Sequence, residues 1–225
     1  MKLQKETKLH GRWYNDACGT AFGLELAGER WSLLVIRELM FGGLRFSDLR
    51  ASLPGISAKV LTERLESLEA SGAVRRRKLE PPVSAQVYEL TEWGLAAEPL
   101  IQELGRWAAQ NPMHDPTLPL SPTSFMLSLR TMFDRRKASG RKARVGFLIG
   151  SASFVGQLSD GVFTVTRTAP LDCDFTFAAE IAPQLAGLFY GKAPASEVGV
   201  TIEGDAKAAQ QFIDIFELPP PLSLA

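Results

Sequence analysis

Residues 111–122 carry Pro112, Pro116, Pro119 and Pro122, four prolines in twelve positions. Proline fixes φ and removes a backbone donor, so neither a helix nor an inner strand is expected to run through this stretch. The apolar pattern also changes across it, recurring at helical spacing before and mostly alternating after. The sequence therefore predicts two domains, residues 1–111 and 122–225, joined by a proline-rich linker at 112–121. At 225 residues, 45% hydrophobic and 22% charged, the chain can supply two ordinary cores.

The first half is predicted to be mainly helical. Residues 17–27 and 30–41 place Phe22 and Leu26, then Trp31, Leu34, Val35 and Leu39, on helical faces, and Gly42 and Gly43 end the second run. A short helix is expected at 47–53. Pro54 and Gly55 turn the chain, and Ser57 caps a helix to about residue 71, with Ile56 stapled against Leu61. Residues 73–79 and 86–90 suit the strands of a hairpin with a proline-bearing tip, and Thr91 caps a last helix through residue 109. Helix, helix, short helix, turn, helix, hairpin, helix is the order of a winged helix-turn-helix.

That order has a chemical use. A helix that enters the major groove needs one apolar face on its own core and one polar face free for base edges and phosphates. From Ser57 onward, Val60, Leu61, Leu65 and Leu68 turn inward, leaving Ser57, Ala58, Lys59, Thr62, Glu63 and Arg64 for solvent or DNA. The formal net charge is zero, yet residues 57–78 hold six basic side chains against three acidic ones. Affinity for duplex comes largely from cations neutralising phosphates, so this local excess matters more than the sum. Arg75, Arg76, Arg77 and Lys78 alternate sides along one strand and are expected to flank the duplex as a wing. Arg45 and Ser47 are further phosphate candidates, although Ser47, like Thr91, also suits a helix cap.

The residues Gly28 through Leu39, Leu44 through Leu49, Leu53 through Leu65 and Tyr88 through Gly94 closely resemble the HxlR family of winged-helix regulators over about residues 12–110. Trp93 and Ala73 depart from the residues usual there. The resemblance implies a homodimer bound to an inverted repeat in double-stranded DNA, with the first and last helices of the domain forming much of the dimer contact. Cys18 stands where some members carry an oxidant- or electrophile-sensitive cysteine, and it falls near a helix N-terminus, which favours thiolate. A small apolar residue buried between helices is the other reading of Cys18.

After the linker the sequence predicts an α+β domain with a five-stranded, largely antiparallel sheet: a helix at 123–133, a basic loop with Arg135, Arg136, Lys137, Arg141 and Lys142, strands at 143–149, 152–158, 162–167, 173–177 and 198–202, and helices at 179–190 and after Asp205. The runs Leu158 to Gly161, Asp172 to Asp174 and Val200 to Asp205, in that order of elements, resemble the sterol-carrier-protein type 2-like fold over about residues 122–218. That resemblance implies a hydrophobic tunnel for an apolar small molecule or acyl lipid. Phe125, Leu129, Phe147, Phe163, Phe175, Phe177, Leu185, Phe189 and Phe212 are its candidate lining, and packing of a solid core is the alternative use of the same residues.

Two cysteines, Cys18 and Cys173, and two histidines, His10 and His114, give no disulfide framework and no metal site. No catalytic grouping, phosphate loop or cofactor motif appears, so an enzyme is not expected. Apolar runs are too short for a membrane span and the start is polar, so a cytoplasmic, bacterial-type regulator is expected. Its leading form is a repressor whose affinity for DNA changes when an apolar molecule occupies the second domain. A Cys18 thiol switch with a second domain serving only dimerisation is the alternative, and a lipid carrier the minor one.

Overall fold

The computed structural model describes residues 14–80 and 85–223. The polar start, His10 and the proline-bearing tip at 81–84 lie outside the described residues. The chain divides into two compact units, Met1–Ile101 and Gln102–Ala225.

The first unit runs α1 (Gly19–Ala27), α2 (Ser32–Glu38), α3 (Phe46–Ala51), α4 (Ala58–Ala70), β1 (Val74–Lys78), β2 (Gln86–Leu90), α5 (Glu92–Leu95) and the start of α6 (Glu98–Ala109). Ser57 starts α4 by accepting the Val60 N–H at 3.2 Å, and Leu61, Leu65 and Leu68 are buried on its inner face. Burying such side chains contributes about 1.5–3 kcal/mol each, which fixes the roll of α4 and hence its outer face. The strands pair antiparallel from Val74 opposite Leu90 to Lys78 opposite Gln86. Leu44 adds a bridge to Tyr88, with N–H to carbonyl bonds of 3.0 and 2.9 Å in the two directions.

The last helix is not continuous to residue 109 as the sequence predicts. Thr91 caps α5 by accepting the Gly94 N–H at 3.1 Å, and α6 starts afresh with Pro99 in its second position. Pro99 has no N–H for the carbonyl of Leu95, so one helix cannot run through it. Gly94 is needed where it stands: a Cβ there would lie 2.1 Å from the carbonyl oxygen of Ala73.

The second unit adds α7 (Pro122–Thr131), β3 (Ala143–Ile149), β4 (Ala152–Ser159), β5 (Val162–Thr166), β6 (Phe175–Ala179), α8 (Ala182–Phe189), α9 (Ala195–Val198), β7 (Thr201–Gly204) and α10 (Ala206–Ile213). The five strands lie in the order β5-β4-β3-β6-β7. The sheet is mixed, which corrects the largely antiparallel expectation: β3 and β6 are parallel, with Val145 opposite Phe175 and Ile149 opposite Ala179. Alternation of side chains marks a strand but not its direction, which the connection sets. Here residues 167–174 carry the chain back across the sheet. Three strand spacings, about 14 Å, and about 17 Å along the strand must be covered, within the reach of about 26 Å that eight extended residues have. Pro170 of this segment lies over β3 at Gly146, where a Cβ would come within 2.7 Å of the proline ring and 2.5 Å of the Thr176 hydroxyl.

The opposite face of the sheet carries the core. Phe147 of β3 stacks on Phe177 of β6 with ring centroids 5.6 Å apart. Phe125 of α7 and Phe212 of α10 each meet Phe147 at 6.4 Å, and Phe189 of α8 meets Phe177 at 5.0 Å. Phe163 and Phe216 close the cluster at 5.7 Å from each other. Asp160 and Gly161 both take positive φ, 53° and 72°, giving the tight turn between β4 and β5.

Candidate nucleic-acid interface

The structure brings the predicted residues of the first unit to two neighbouring elements, α4 and the β1–β2 hairpin. Ser57, Ala58, Lys59 and Thr62 are exposed along the N-terminal half of α4. The Thr62 hydroxyl donates back to the Ala58 carbonyl at 3.0 Å. Arg64 is drawn in: its side chain is 11% exposed and its guanidinium lies 3.4 Å from Glu29 and 3.8 Å from Glu63. It braces α4 and has less reach than Lys59. Arg45 is exposed just before α3, and Ser47 donates to Asp48 at 3.0 Å instead of capping the helix. Among the described residues Arg45, Lys59 and Lys78 hold no ion pair.

The wing cations are arranged by two carboxylates that sequence reasoning did not single out. On one face of the hairpin, Arg75 Nε and Nη2 both donate to Glu89 Oε1 at 2.8 Å, and Arg77 Nε donates to Glu89 Oε2 at 2.7 Å. On the other face Arg76 donates from Nε and Nη2 to Glu69 Oε2 of α4, at 2.9 and 2.8 Å, and lies 5.4 Å over the Tyr88 ring. Partial burial pushes the Glu89 carboxyl up, but hydrogen bonds from Arg77 and Arg75 and their charges outweigh it, so the net shift is downward. Register would have revealed Glu89: Arg75 stands directly opposite it, and Arg77 is two residues along on the same face.

Cys18 is exposed, so within the chain it is not a residue buried between helices. It stands just before α1, where the N–H groups of Ala21 and then Thr20 hold its thiol below the ordinary range. Cys173 is half-buried, and burial pushes its thiol up.

The nine residues suggested as a lining of the second unit, Phe125, Leu129, Phe147, Phe163, Phe175, Phe177, Leu185, Phe189 and Phe212, are buried. Their aromatic members lie in the cluster already described, which Phe175 joins at 5.7 Å from both Phe177 and Phe212. Of the nine, only Phe175 and Phe212 reach a cleft of about 440 Å³, which Leu158 and Ile215 help to floor and Arg141, Lys142, Asp174 and Asp205 rim. Among the described residues no group of acidic, cysteine and histidine side chains could hold a metal ion, and no helix is long and apolar enough to cross a membrane.

A helix with a buried apolar face and an exposed polar one, followed by a basic hairpin, defines a winged helix-turn-helix of the DNA-binding class. Residues 26–116 match the family model described as HxlR-like helix-turn-helix. The chain is 39% identical over 88 residues, 39% of its own length and 81% of the relative's, to the uncharacterized HTH-type transcriptional regulator YvaP of Bacillus subtilis (strain 168). It is 44% identical over 86 residues, 38% of its length and 76% of the relative's, to the HTH-type transcriptional regulator YodB of the same organism. The solved reduced form of YodB from B. subtilis aligns at 36% identity over 44% of this chain and 100% of that one, with a TM-score of 0.40. The chain belongs to the HxlR-like helix-turn-helix family of transcriptional regulators.

Proposed function

We propose that this protein is a homodimeric repressor that binds an inverted-repeat operator, with α4 in the major groove and the hairpin on the flanking backbone. Residues 1–111 form the DNA-binding and dimerising part, 112–121 the linker and 122–225 the regulatory part. The observation that carries the reading is the outer face of α4: Lys59 and Thr62 are exposed beside a helix N-terminus whose roll is fixed by Leu61, Leu65 and Leu68. The free amides of that N-terminus suit a backbone phosphate. Base contacts fall to Lys59, Thr62 and Glu63, and phosphate contacts to Arg45, Ser47, Ser57, Ala58 and Lys78, with Arg64 bracing.

Dimerisation is supported by apolar side chains exposed on α1 and at the start of α6. Phe22 is 50% and Leu100 59% exposed. An apolar hollow of about 230 Å³ lies between these helices, lined by Leu26, Ala27, Trp93 and Ala97 among others. Apolar surface of this kind on a soluble domain marks an interface. A second copy of the chain covers it, and two copies bind a site with two-fold symmetry.

For the regulatory input, an apolar small molecule or acyl lipid would reach the second unit through the cleft floored by Phe175 and Phe212. A thiol switch is the second reading, favoured by the exposure of Cys18 and its lowered pKa at the start of α1. Genomic fragments selected on the purified protein, followed by footprinting, test the core of the proposal. Protection of two half-sites one helical turn apart is expected, and protection of a single half-site would overturn the dimeric reading. Mass spectrometry of the native protein, with and without Cys18→Ser and an electrophile, separates the two inputs.

A further inference from the structure

Three of the four wing cations are already engaged by carboxylates, and one carboxylate engages two of them. Glu89 gives one oxygen to Arg75 and the other to Arg77, at 2.7–2.8 Å. Its side chain is 14% exposed, against 64% and 51% for the arginines, so the acid is recessed and the two guanidinium groups stand above it. A carboxylate and a phosphate offer arginine the same two-pronged acceptor geometry, so Glu89 occupies the donors that duplex phosphates would use. We propose that Glu89 is a specificity-determining residue: its carboxylate restrains Arg75 and Arg77 from gripping phosphates on any sequence, so that wing contacts form only where base contacts of α4 hold the duplex in register. The inference rests on the DNA-binding reading above and adds the means by which its sequence-independent part is held down.

The physical basis is the separation between backbone and base contacts. Phosphate contacts carry affinity without sequence information, and each steepens the dependence of log K on log salt by about 0.9 for duplex DNA. With Glu89 in place, the group of Arg75, Arg77 and Glu89 presents one net positive charge. With a neutral amide there it presents two, and the single amide oxygen, a weaker acceptor than a carboxylate, leaves most of the guanidinium N–H groups available. Gln keeps the size of the side chain and its packing beside Gly43.

The test uses the full chain and a short fluorescent duplex of scrambled sequence, with anisotropy titrations over a series of salt concentrations. Glu89→Gln is expected to bind this duplex on the order of tenfold tighter at about 0.1 M salt, with the salt slope steeper by about one. Glu89→Gln with Arg75→Gln and Arg77→Gln is expected to lose that gain. Arg75→Gln with Arg77→Gln, where Glu89 already holds both arginines, is expected to flatten the slope by less than the same two substitutions do in the Glu89→Gln background. Wild-type binding that Glu89→Gln leaves unchanged or weaker, at an unaltered melting temperature, overturns the restraint while leaving DNA binding intact. No salt-dependent binding by either protein overturns both readings.

Discussion

The two units differ in how their phenylalanines are used. In the second, Phe125, Phe147, Phe177, Phe189 and Phe216 are all fully buried and touch one another across helices and sheet. In the first, Phe22, Trp93, Leu95 and Leu100 are each 45–59% exposed, although Val35, Leu49, Leu61 and Leu68 form a closed core beneath them. A core that satisfies itself needs no partner, whereas apolar surface left on a winged helix needs one. The second unit also exposes Leu171 and Ile181, at 68% and 57%, so exposure alone assigns no interface; the first unit's surface differs in that Trp93 and Leu100 border an apolar hollow, which is what the proposed dimer would cover.

The strongest way to break the comparison is to open the aromatic cluster. Phe177→Ala is expected to destabilise the second unit by about 3–5 kcal/mol, because the cavity is ringed by rigid neighbours. Denaturant unfolding followed by circular dichroism should show that loss in one transition, while duplex binding in native buffer persists. Loss of both would show that the units are not separable in this way. Leu100→Glu attacks the other side of the contrast. A charge placed in a covered interface costs about 3 kcal/mol or more, so on the proposed dimer sedimentation should show Leu100→Glu as monomer at concentrations where the unsubstituted chain is paired, with little change in melting. If Leu100→Glu remains dimeric, the α1–α6 surface is not the interface.

Two smaller changes sharpen the picture within each unit. Gly146→Ala forces a methyl against Pro170 and Thr176, and overpacking of this kind costs about 1–3 kcal/mol; thermal unfolding reads it. Thr91→Ala removes the cap of α5 and should cost about 1 kcal/mol, read as a lower denaturant midpoint of the first unit.

The smallest expected effect is acidic. Glu89 is held below the usual carboxylate range in the folded chain, so its contribution is complete above the unfolded value and is lost as pH falls through the lowered one. That window lies below about pH 4. A partly exposed ion pair contributes at most about 1 kcal/mol, so Glu89→Gln should lower stability by up to that much at neutral pH and by nothing below the window, which flattens the acid profile. An identical acid profile in wild type and variant would mean the arginines do not hold Glu89 in solution.

Most of the architecture was legible because it rests on local signals. Ser57 and Thr91 announce helix starts, and Leu61, Leu65 and Leu68 announce a buried face. What escaped depends on pairing across distance. The direction of β6 follows from how residues 167–174 travel, which alternation does not record. The break before α6 was present in Pro99 but overridden by the apolar spacing around it. In the candidate interface, Arg75, Arg76 and Arg77 read as a basic run, yet their partners Glu89 and Glu69 lie 14 and 7 residues away from Arg75 and Arg76. Only the hairpin register and the fold of α4 bring them together.

The parallel pairing of β3 with β6 also bears on how the chain is made. During synthesis β3, β4 and β5 can assemble as soon as Thr166 is available, since each pairs with its neighbour in sequence. Until Phe175–Ala179 emerges, however, the far side of β3 has no partner, and its Phe147 side chain awaits α8 and α10. An open apolar strand of this sort is a template for pairing with other chains. A chain stopped between Thr166 and Phe175 is thus the form most prone to aggregate, and the first unit, complete some sixty-five residues earlier at Ile101, would be carried into the aggregate already folded.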